Sequence, residues 1–185
     1  MQWLSWRGLD MKLVIINGSP RKQGRTGIAS RFISRTYGAE LIDLSTSSLP
    51  LYKGEAEQYQ LEEVVQLQQA IKEADGVILA TPEYHNSMSG ALKNALDFLS
   101  AEQFTNKPVA LLAVAGGGKG GINALNSMRT VGRGVYANVI PKQLALDPDQ
   151  FDYEHDGLNE AAAKSVAELI DELNLYAKAF QAVTK

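Results

Sequence analysis

The sequence predicts an α/β fold of the doubly wound kind, a parallel sheet with helices on both faces. Three observations carry this. Strand-like and helix-like segments alternate along the chain, which is the pattern of consecutive βαβ units. The strand-like runs are short and nearly continuous in apolar residues, as strands covered on both faces must be. The 185 residues are 45% apolar and 21% charged, enough for one well-buried core and too apolar for disorder.

Taken in order, residues 12–17 (KLVIIN) form the first strand and stop at Gly18. Residues 26–37 follow as a helix, with Ile28, Ala29, Phe32 and Ile33 on one face. Residues 40–44 (ELIDL) are the second strand, followed by a polar stretch containing Pro50 and Gly54. Residues 61–74 make an amphipathic helix through Leu61, Val64, Val65, Leu67 and Ile71. Residues 76–81 (GVILAT) are the third strand, and residues 89–100 a helix presenting Leu92, Ala95, Leu96 and Leu99.

Residues 108–115 (PVALLAVA) are the fourth strand, closed by a glycine-rich loop. Residues 122–131 read as a helix. Residues 135–140 and 143–146 read as a fifth strand broken near Pro141, because proline cannot donate to a ladder. Residues 160–180 are a long closing helix. The domain spans 11–185, and residues 1–10 (MQWLSWRGLD) read as an upstream extension of a chain that could start at Met11. They lack the basic and apolar regions of a signal peptide.

Composition narrows the function. Acidic residues outnumber basic ones by 21 to 18, so no basic balance calls for nucleic acid or an anionic membrane. The longest apolar run, Val109 to Ala115, is far short of the ~20 residues a membrane span needs. There is no cysteine, which excludes disulfides, thiolate metal sites, dithiol redox chemistry and a cysteine nucleophile, and fits a reducing compartment. The two histidines, His85 and His155, are far apart and do not suggest a metal centre. If electrons move through this chain, a bound organic group must carry them.

Ligands of a doubly wound sheet sit at the carboxyl ends of its strands, at the switch point of the strand order. Three loops there are unusual. After the first strand comes GSPRKQGRTG, residues 18–27, opening into a helix N-terminus. Free N–H groups and the helix dipole favour an anion there. Ser19 and Thr26 can donate hydroxyls, while Arg21, Lys22 and Arg25 add positive charge. The ligand expected is a phosphate, with Gly27 beside it, although no Walker A pattern is present.

After the third strand come Pro82, Glu83, Tyr84, His85, Asn86 and Ser87, an aromatic ring among short polar groups that suits a flat heteroaromatic ligand. His85 reads as a surface or packing residue rather than a catalyst. After the fourth strand come Gly116, Gly117 and Gly118, then Lys119, Gly120 and Gly121. The G-x-G-x-x-G pattern in this run is not the dinucleotide fingerprint, because it follows the wrong strand and lacks an acid about 20 residues on. Backbone contact with a bulky ring explains it better. With the sheet in the order 2-1-3-4-5, the three loops are neighbours. One phosphate and one planar ring, with no second nucleotide, describe FMN.

Two motifs at this separation carry a family resemblance. Gly18-Ser19-Pro20-Arg21 matches a G-S-x-R phosphate motif. Pro82-Glu83-Tyr84-His85-Asn86-Ser87, followed by Gly90-Ala91-Leu92-Lys93-Asn94-Ala95-Leu96-Asp97, matches P-E-Y-N-x-S and G-x-L-K-N-A-x-D. The chain resembles the NADPH-dependent FMN reductases of the flavodoxin-like superfamily, and more narrowly the bacillus-type azobenzene reductases. It departs from their usual pattern at Gly24 and Thr26, where Ser and Asn are frequent, at His85 in place of Asn, and at Ser89 in place of Pro.

The resemblance implies a cytoplasmic homodimer or homotetramer using FMN as cofactor and NADPH as donor. It implies ping-pong, two-electron reduction of azo compounds or quinones. The phosphate ligands would be Ser19, Arg21, Arg25 and Thr26, and the ring would lie against Pro82 to Ser87 and Gly116 to Gly118. Lys119 would either attract the NADPH phosphates or stay solvated. No side chain is assigned as acid, base or nucleophile, since the bound ring does the redox chemistry. A quinone, chromate or free-flavin reductase stays open within the class. So do a flavin-free binding module and a flavodoxin-like electron carrier, the last opposed by the cations of the first loop.

Overall fold

The computed structural model describes residues 11–117 and 120–184; the extension read at residues 1–10 lies outside them. Strands β1 (Leu13–Asn17), β2 (Glu40–Asp43), β3 (Gly76–Pro82), β4 (Pro108–Val114) and β5 (Asn138–Leu146) form one parallel sheet in the order β2-β1-β3-β4-β5. This is the expected doubly wound topology. Helices α1 (Arg25–Tyr37) and α6 (Glu160–Thr184) cover one face. Helices α2 (Glu62–Glu73), α3 (Gly90–Asp97), α4 (Ala101–Phe104) and α5 (Ile122–Gly134) cover the other.

The alternation of side chains along each strand divides the core in two. Val14, Ile16, Val77, Leu79, Val109 and Leu111 pack against α2, α3 and α5. Leu13, Ile15, Ile78, Ala80, Ala110 and Leu112 pack against α1 and α6. Every residue of β1, β3 and β4 is buried, which is why these runs carry no polar alternation. Among the described residues no helix is long and apolar enough to cross a membrane.

Several boundaries differ from the sequence reading. The segment at 89–100 is two helices. α3 ends at Asp97, and Ser100 starts α4 through a capping box with Gln103, two donors satisfied reciprocally. Residues 135–137 are not strand: α5 runs on to Gly134, and Tyr136 turns the chain with φ 64°. The break near Pro141 is a bulge, because Val109 faces Val139 while Leu111 faces Gln143. Arg129 binds the carbonyls of Ile140 and Pro141 at 3.0 and 2.8 Å, supplying partners where the ladder fails.

A two-stranded hairpin, β6 (Phe151–Asp152) with β7 (Gly157–Leu158), is an addition to the expected elements. It is tied to α1 by ions. Asp156 accepts from Arg31 Nε and from Arg35 Nη1, both at 2.8 Å. The hydrogen bonds from Arg31, with those of Arg35, hold the Asp156 carboxyl down from 3.8 to about 2. A depressed carboxyl contributes stability above its unfolded pKa and loses it as pH falls through the folded value. Its side chain is 39% exposed, so solvent screening leaves about 1 kcal/mol. The Asp156→Asn protein should therefore melt a few degrees below the unaltered protein at pH 7. The gap should close between pH 4 and pH 2, followed by melting curves. A gap that persists at pH 2 would overturn this assignment.

Candidate functional site

The first loop is shaped by close backbone packing. Gly18 donates its N–H to Ala80 O at 2.7 Å. A Cβ on Gly18 would stand 2.6 Å from that oxygen and 2.8 Å from Leu92 Cβ, so only glycine fits between β1, β3 and α3. The carbonyl of Gly18 accepts from the buried Ser89 hydroxyl, whose oxygen also caps Leu92 N–H at 3.0 Å. Ser89 thereby does two jobs that proline, common in the resembling family, could not.

Helix α1 then begins after Gly24, which has no side chain to cap it, and no acid stands in its first turn. Ile28 makes the first helical bond, to Gly24 O at 3.1 Å. The N–H groups of Arg25, Thr26 and Gly27 thus have no helical partner. Ser19 and Thr26 are each 2% exposed. The Ser19 oxygen accepts from Arg21 N–H at 3.2 Å, which leaves its proton free to donate.

A cleft runs from this loop to the ends of β3 and β4. It is lined by Ser19, Arg21, Gly24, Arg25 and Thr26, by Pro82, Glu83 and Tyr84, and by Val114, Ala115 and Gly116. The Arg21 guanidinium lies over the Tyr84 ring at 5.6 Å, within cation–π reach. Arg25 Nη2 meets Gly116 O at 3.4 Å. The two arginines therefore bridge all three loops, and their charges stand where the helix dipole already favours an anion.

The second loop is a hairpin. Tyr84 and Ser87 exchange both backbone bonds at 3.0 Å, and His85 and Asn86 take φ 49° and 64° between them. Two central residues with positive φ make a type I′ turn, so His85 and Asn86 form its exposed apex. Asn86 accepts from Asn123 at 3.3 Å, and Met88 N–H reaches the Ser127 hydroxyl at 3.1 Å. Glu83 sits deeper. Its N–H binds Val114 O at 3.0 Å, and its carboxylate accepts Ala124 N–H at 2.9 Å. The N-cap of α5, Gly121, has no side chain, so Glu83 supplies that cap from 38 residues away in sequence.

The glycines of the third loop divide. A Cβ on Gly116 or Gly117 would meet nothing within 4 Å; of the two, Gly116 leaves that open space at the cleft. Gly120 and Gly121 are needed for packing: a Cβ would stand 2.8 Å from Ala115 Cβ in one case and 3.1 Å from Ala145 Cβ in the other, and Gly121 has φ 94°. Gly118 and Lys119 lie outside the described residues.

Of the residues singled out in the sequence, Ser19, Arg21, Arg25, Thr26, Pro82, Glu83, Tyr84 and Gly116 line the cleft. Gly27 is buried against Asn17 and Arg31, where a Cβ would stand 3.4 and 3.0 Å from them. His85, Asn86, Ser87 and Gly117 are not among the lining residues. Gly24, noted in the sequence only as a departure from the family pattern, lines it too, as do Val114 and Ala115, which were not singled out. Their signal was position alone, at a helix start and a strand end.

The family model of the NADPH-dependent FMN reductases matches residues 11–150. The chain belongs to that family. It is 54% identical over 176 residues to the NADPH azoreductase of Bacillus sp. (strain OY1-2), covering 95% of this chain and 97% of that protein. It is 33% identical over 159 residues to the FMN-dependent NADPH-azoreductase of Staphylococcus aureus (strain USA300), covering 80% and 82%.

Among solved structures, the NAD(P)H:(acceptor) oxidoreductase FerB from Paracoccus denitrificans superposes with TM-score 0.73 at 19% identity, covering 93% of this chain and 98% of that one. A flavodoxin from the domain Archaea superposes with TM-score 0.59 at 15% identity, covering 92% and 99%. At those identities the likeness is one of fold, and the family member has the flavodoxin-like fold.

Proposed function

We propose that this chain is an FMN-dependent oxidoreductase that takes electrons from NADPH and reduces small acceptors, azo compounds first and quinones as a second class. The observation that carries the proposal is the 54% identity to an NADPH azoreductase across 95% of the chain. The cleft supports it, because its donors suit FMN. A phosphate monoester carries about two negative charges. Arg21, Arg25, the hydroxyls of Ser19 and Thr26, and the open N–H groups of α1 offer it charge-assisted hydrogen bonds.

Pro82, Glu83 and Tyr84 on one loop and Gly116 on another would hold the ring between them. The family resemblance adds His85, Asn86, Ser87, Gly117 and Gly118 to the proposed flavin contacts, and offers Lys119 as a cation for the NADPH phosphates. When bound, FMN would supply the two-electron chemistry between NADPH and the acceptor, and the proposed ping-pong order would have the two reactants enter the cleft in turn. The chain's own part is to bind, orient and dry that group. No side chain of the cleft is needed as a nucleophile. The family resemblance adds to the proposal a cytoplasmic homodimer or homotetramer, with residues 1–10 as an extension of the domain.

The test is an absorbance spectrum of the purified protein supplied with FMN. Flavin bands that bleach on anaerobic addition of NADPH and return with an azo dye are the expected result; protein that stays colourless overturns the reading. Arg21→Ala should weaken FMN binding by roughly 10- to 100-fold, the value of a hydrogen bond between charged groups of about 1.5–3 kcal/mol. Riboflavin, which lacks the phosphate, should be affected far less.

A further inference from the structure

Asn17 is a polar side chain at the end of an apolar strand. It closes β1 after Leu13, Val14, Ile15 and Ile16, and is 1% exposed. It lies beside the proposed FMN cleft without lining it. A buried amide must have both ends satisfied, and here the two ends serve different elements. Its Nδ2 donates to Asp43 Oδ1 at 2.7 Å, and its Oδ1 accepts the N–H of Ser19 at 3.2 Å.

The orientation of this amide is dictated. A carboxylate accepts and does not donate, so Asp43 requires the NH2 end of Asn17. The carbonyl end is then turned to Ser19. Asp43 is itself fixed three ways. It pairs in register with Asn17 across β1 and β2. The oxygen that binds Asn17 also accepts Ser45 N–H at 2.9 Å. The Asp43 backbone carbonyl accepts Thr46 N–H at 3.2 Å.

We propose that Asn17 and Asp43 are a positioning pair that sets the phosphate loop. Holding the Ser19 N–H inward leaves the Ser19 hydroxyl, with its oxygen on Arg21 N–H, to donate its proton into the cleft. The same amide lies under the first turn of α1, where a Cβ at Gly27 would come within 3.4 Å of Asn17 Nδ2. Gly27 lets the uncapped helix end settle onto the pair. The loop and the helix N-terminus are thus registered to each other by a single side chain. Neutral Asn17 also separates the anion site from the Asp43 charge.

This inference rests on FMN being the ligand of the cleft, and its test separates the two readings. The measurement is the ratio of riboflavin to FMN dissociation constants of the apoprotein, read by quenching of flavin fluorescence. Asn17→Leu keeps the volume and removes both hydrogen bonds; the ratio should fall about tenfold. Asp43→Leu, at the sheet edge and less buried, should lower it as well, and serves if Asn17→Leu does not fold. Asp43→Asn still offers an acceptor and should keep the ratio within about twofold.

A packing role alone would let Asn17→Leu change the melting temperature and leave the ratio intact, which overturns the proposal. A purely Coulombic role for Asp43 would raise the ratio in both Asp43 variants, which overturns it too. If the unaltered protein takes up no FMN, the proposed function falls together with this inference. If it prefers FMN to riboflavin and the variants do not change that preference, this inference alone falls.

Discussion

Gly18→Ala should lower the melting temperature by roughly 6–12 °C. The methyl group would stand 2.6 Å from Ala80 O and 2.8 Å from Leu92 Cβ. Neither can move cheaply: one belongs to the backbone of the central strand β3, the other to the core face of α3, fully buried. Overpacking of this kind costs about 3 kcal/mol, and in a domain of this size each kcal/mol is worth roughly 2–4 °C. The displacement would also separate Gly18 O from Ser89 and disturb the loop that begins one residue later. Flavin uptake should therefore fall with stability. Gly90→Ala is the control, because a Cβ at that first residue of α3 meets open space. Its melting temperature should hold or rise slightly, as removal of glycine restricts the unfolded chain. Equal melting points for Gly18→Ala and the unaltered protein would sink the account of the β1–β3–α3 junction.

The sequence spoke most clearly where one period ruled. β1, β3 and β4 are buried on both faces, so their uniform apolarity could mean little else. It was silent where a few long-range bonds decide. The β6–β7 hairpin has two residues per strand and is anchored by Asp156 to arginines more than 120 positions away. The polar stretch between β2 and α2 contains a 3-10 turn, Ala56–Gln60. Buried Gln58 organises it by donating to Leu51 O and accepting Lys53 N–H, both at 2.8 Å. No periodicity announces either feature.

Two misreadings had physical causes. Leu96 and Leu99 continue one apolar stripe, so the capping box at Ser100 was hidden inside what read as a single helix. Val135 and Tyr136 favour strand by composition, yet Tyr136 is in the left-handed region and ends α5. At the site, the three loops were legible because glycine, proline and clustered cations mark strand ends. The division of labour within them was not. Gly27 serves helix packing, and Gly120 and Gly121 serve the β4–α5 connection, while Glu83 caps a helix it does not adjoin. A spacing pattern shows which residues are near one another along the chain and leaves out what each one touches.

Glu83→Ala should lower the melting temperature by about 3 °C and weaken FMN and riboflavin by the same factor, about fivefold. Glu83 lies in the second loop, and its carboxylate closes the N-terminus of α5 through Ala124 N–H at 2.9 Å. Loss of a helix cap costs about 1 kcal/mol, and the negative charge adds a share through the dipole. The same strut holds the Pro82–Ser87 loop against the glycine loop that precedes α5, and Glu83 N–H ties it to Val114. Without it both walls proposed for the ring loosen, while the phosphate loop keeps its own supports at Asn17, Ser89 and Gly18. A weakening of about 1 kcal/mol corresponds to the fivefold change. Glu83→Gln keeps an acceptor for Ala124 N–H and should fall between the two proteins, its deficit shrinking as salt screens the dipole. The two flavins distinguish the walls of the cleft. Equal losses place Glu83 on the ring side, whereas a loss confined to FMN would place it on the phosphate side and contradict the strut.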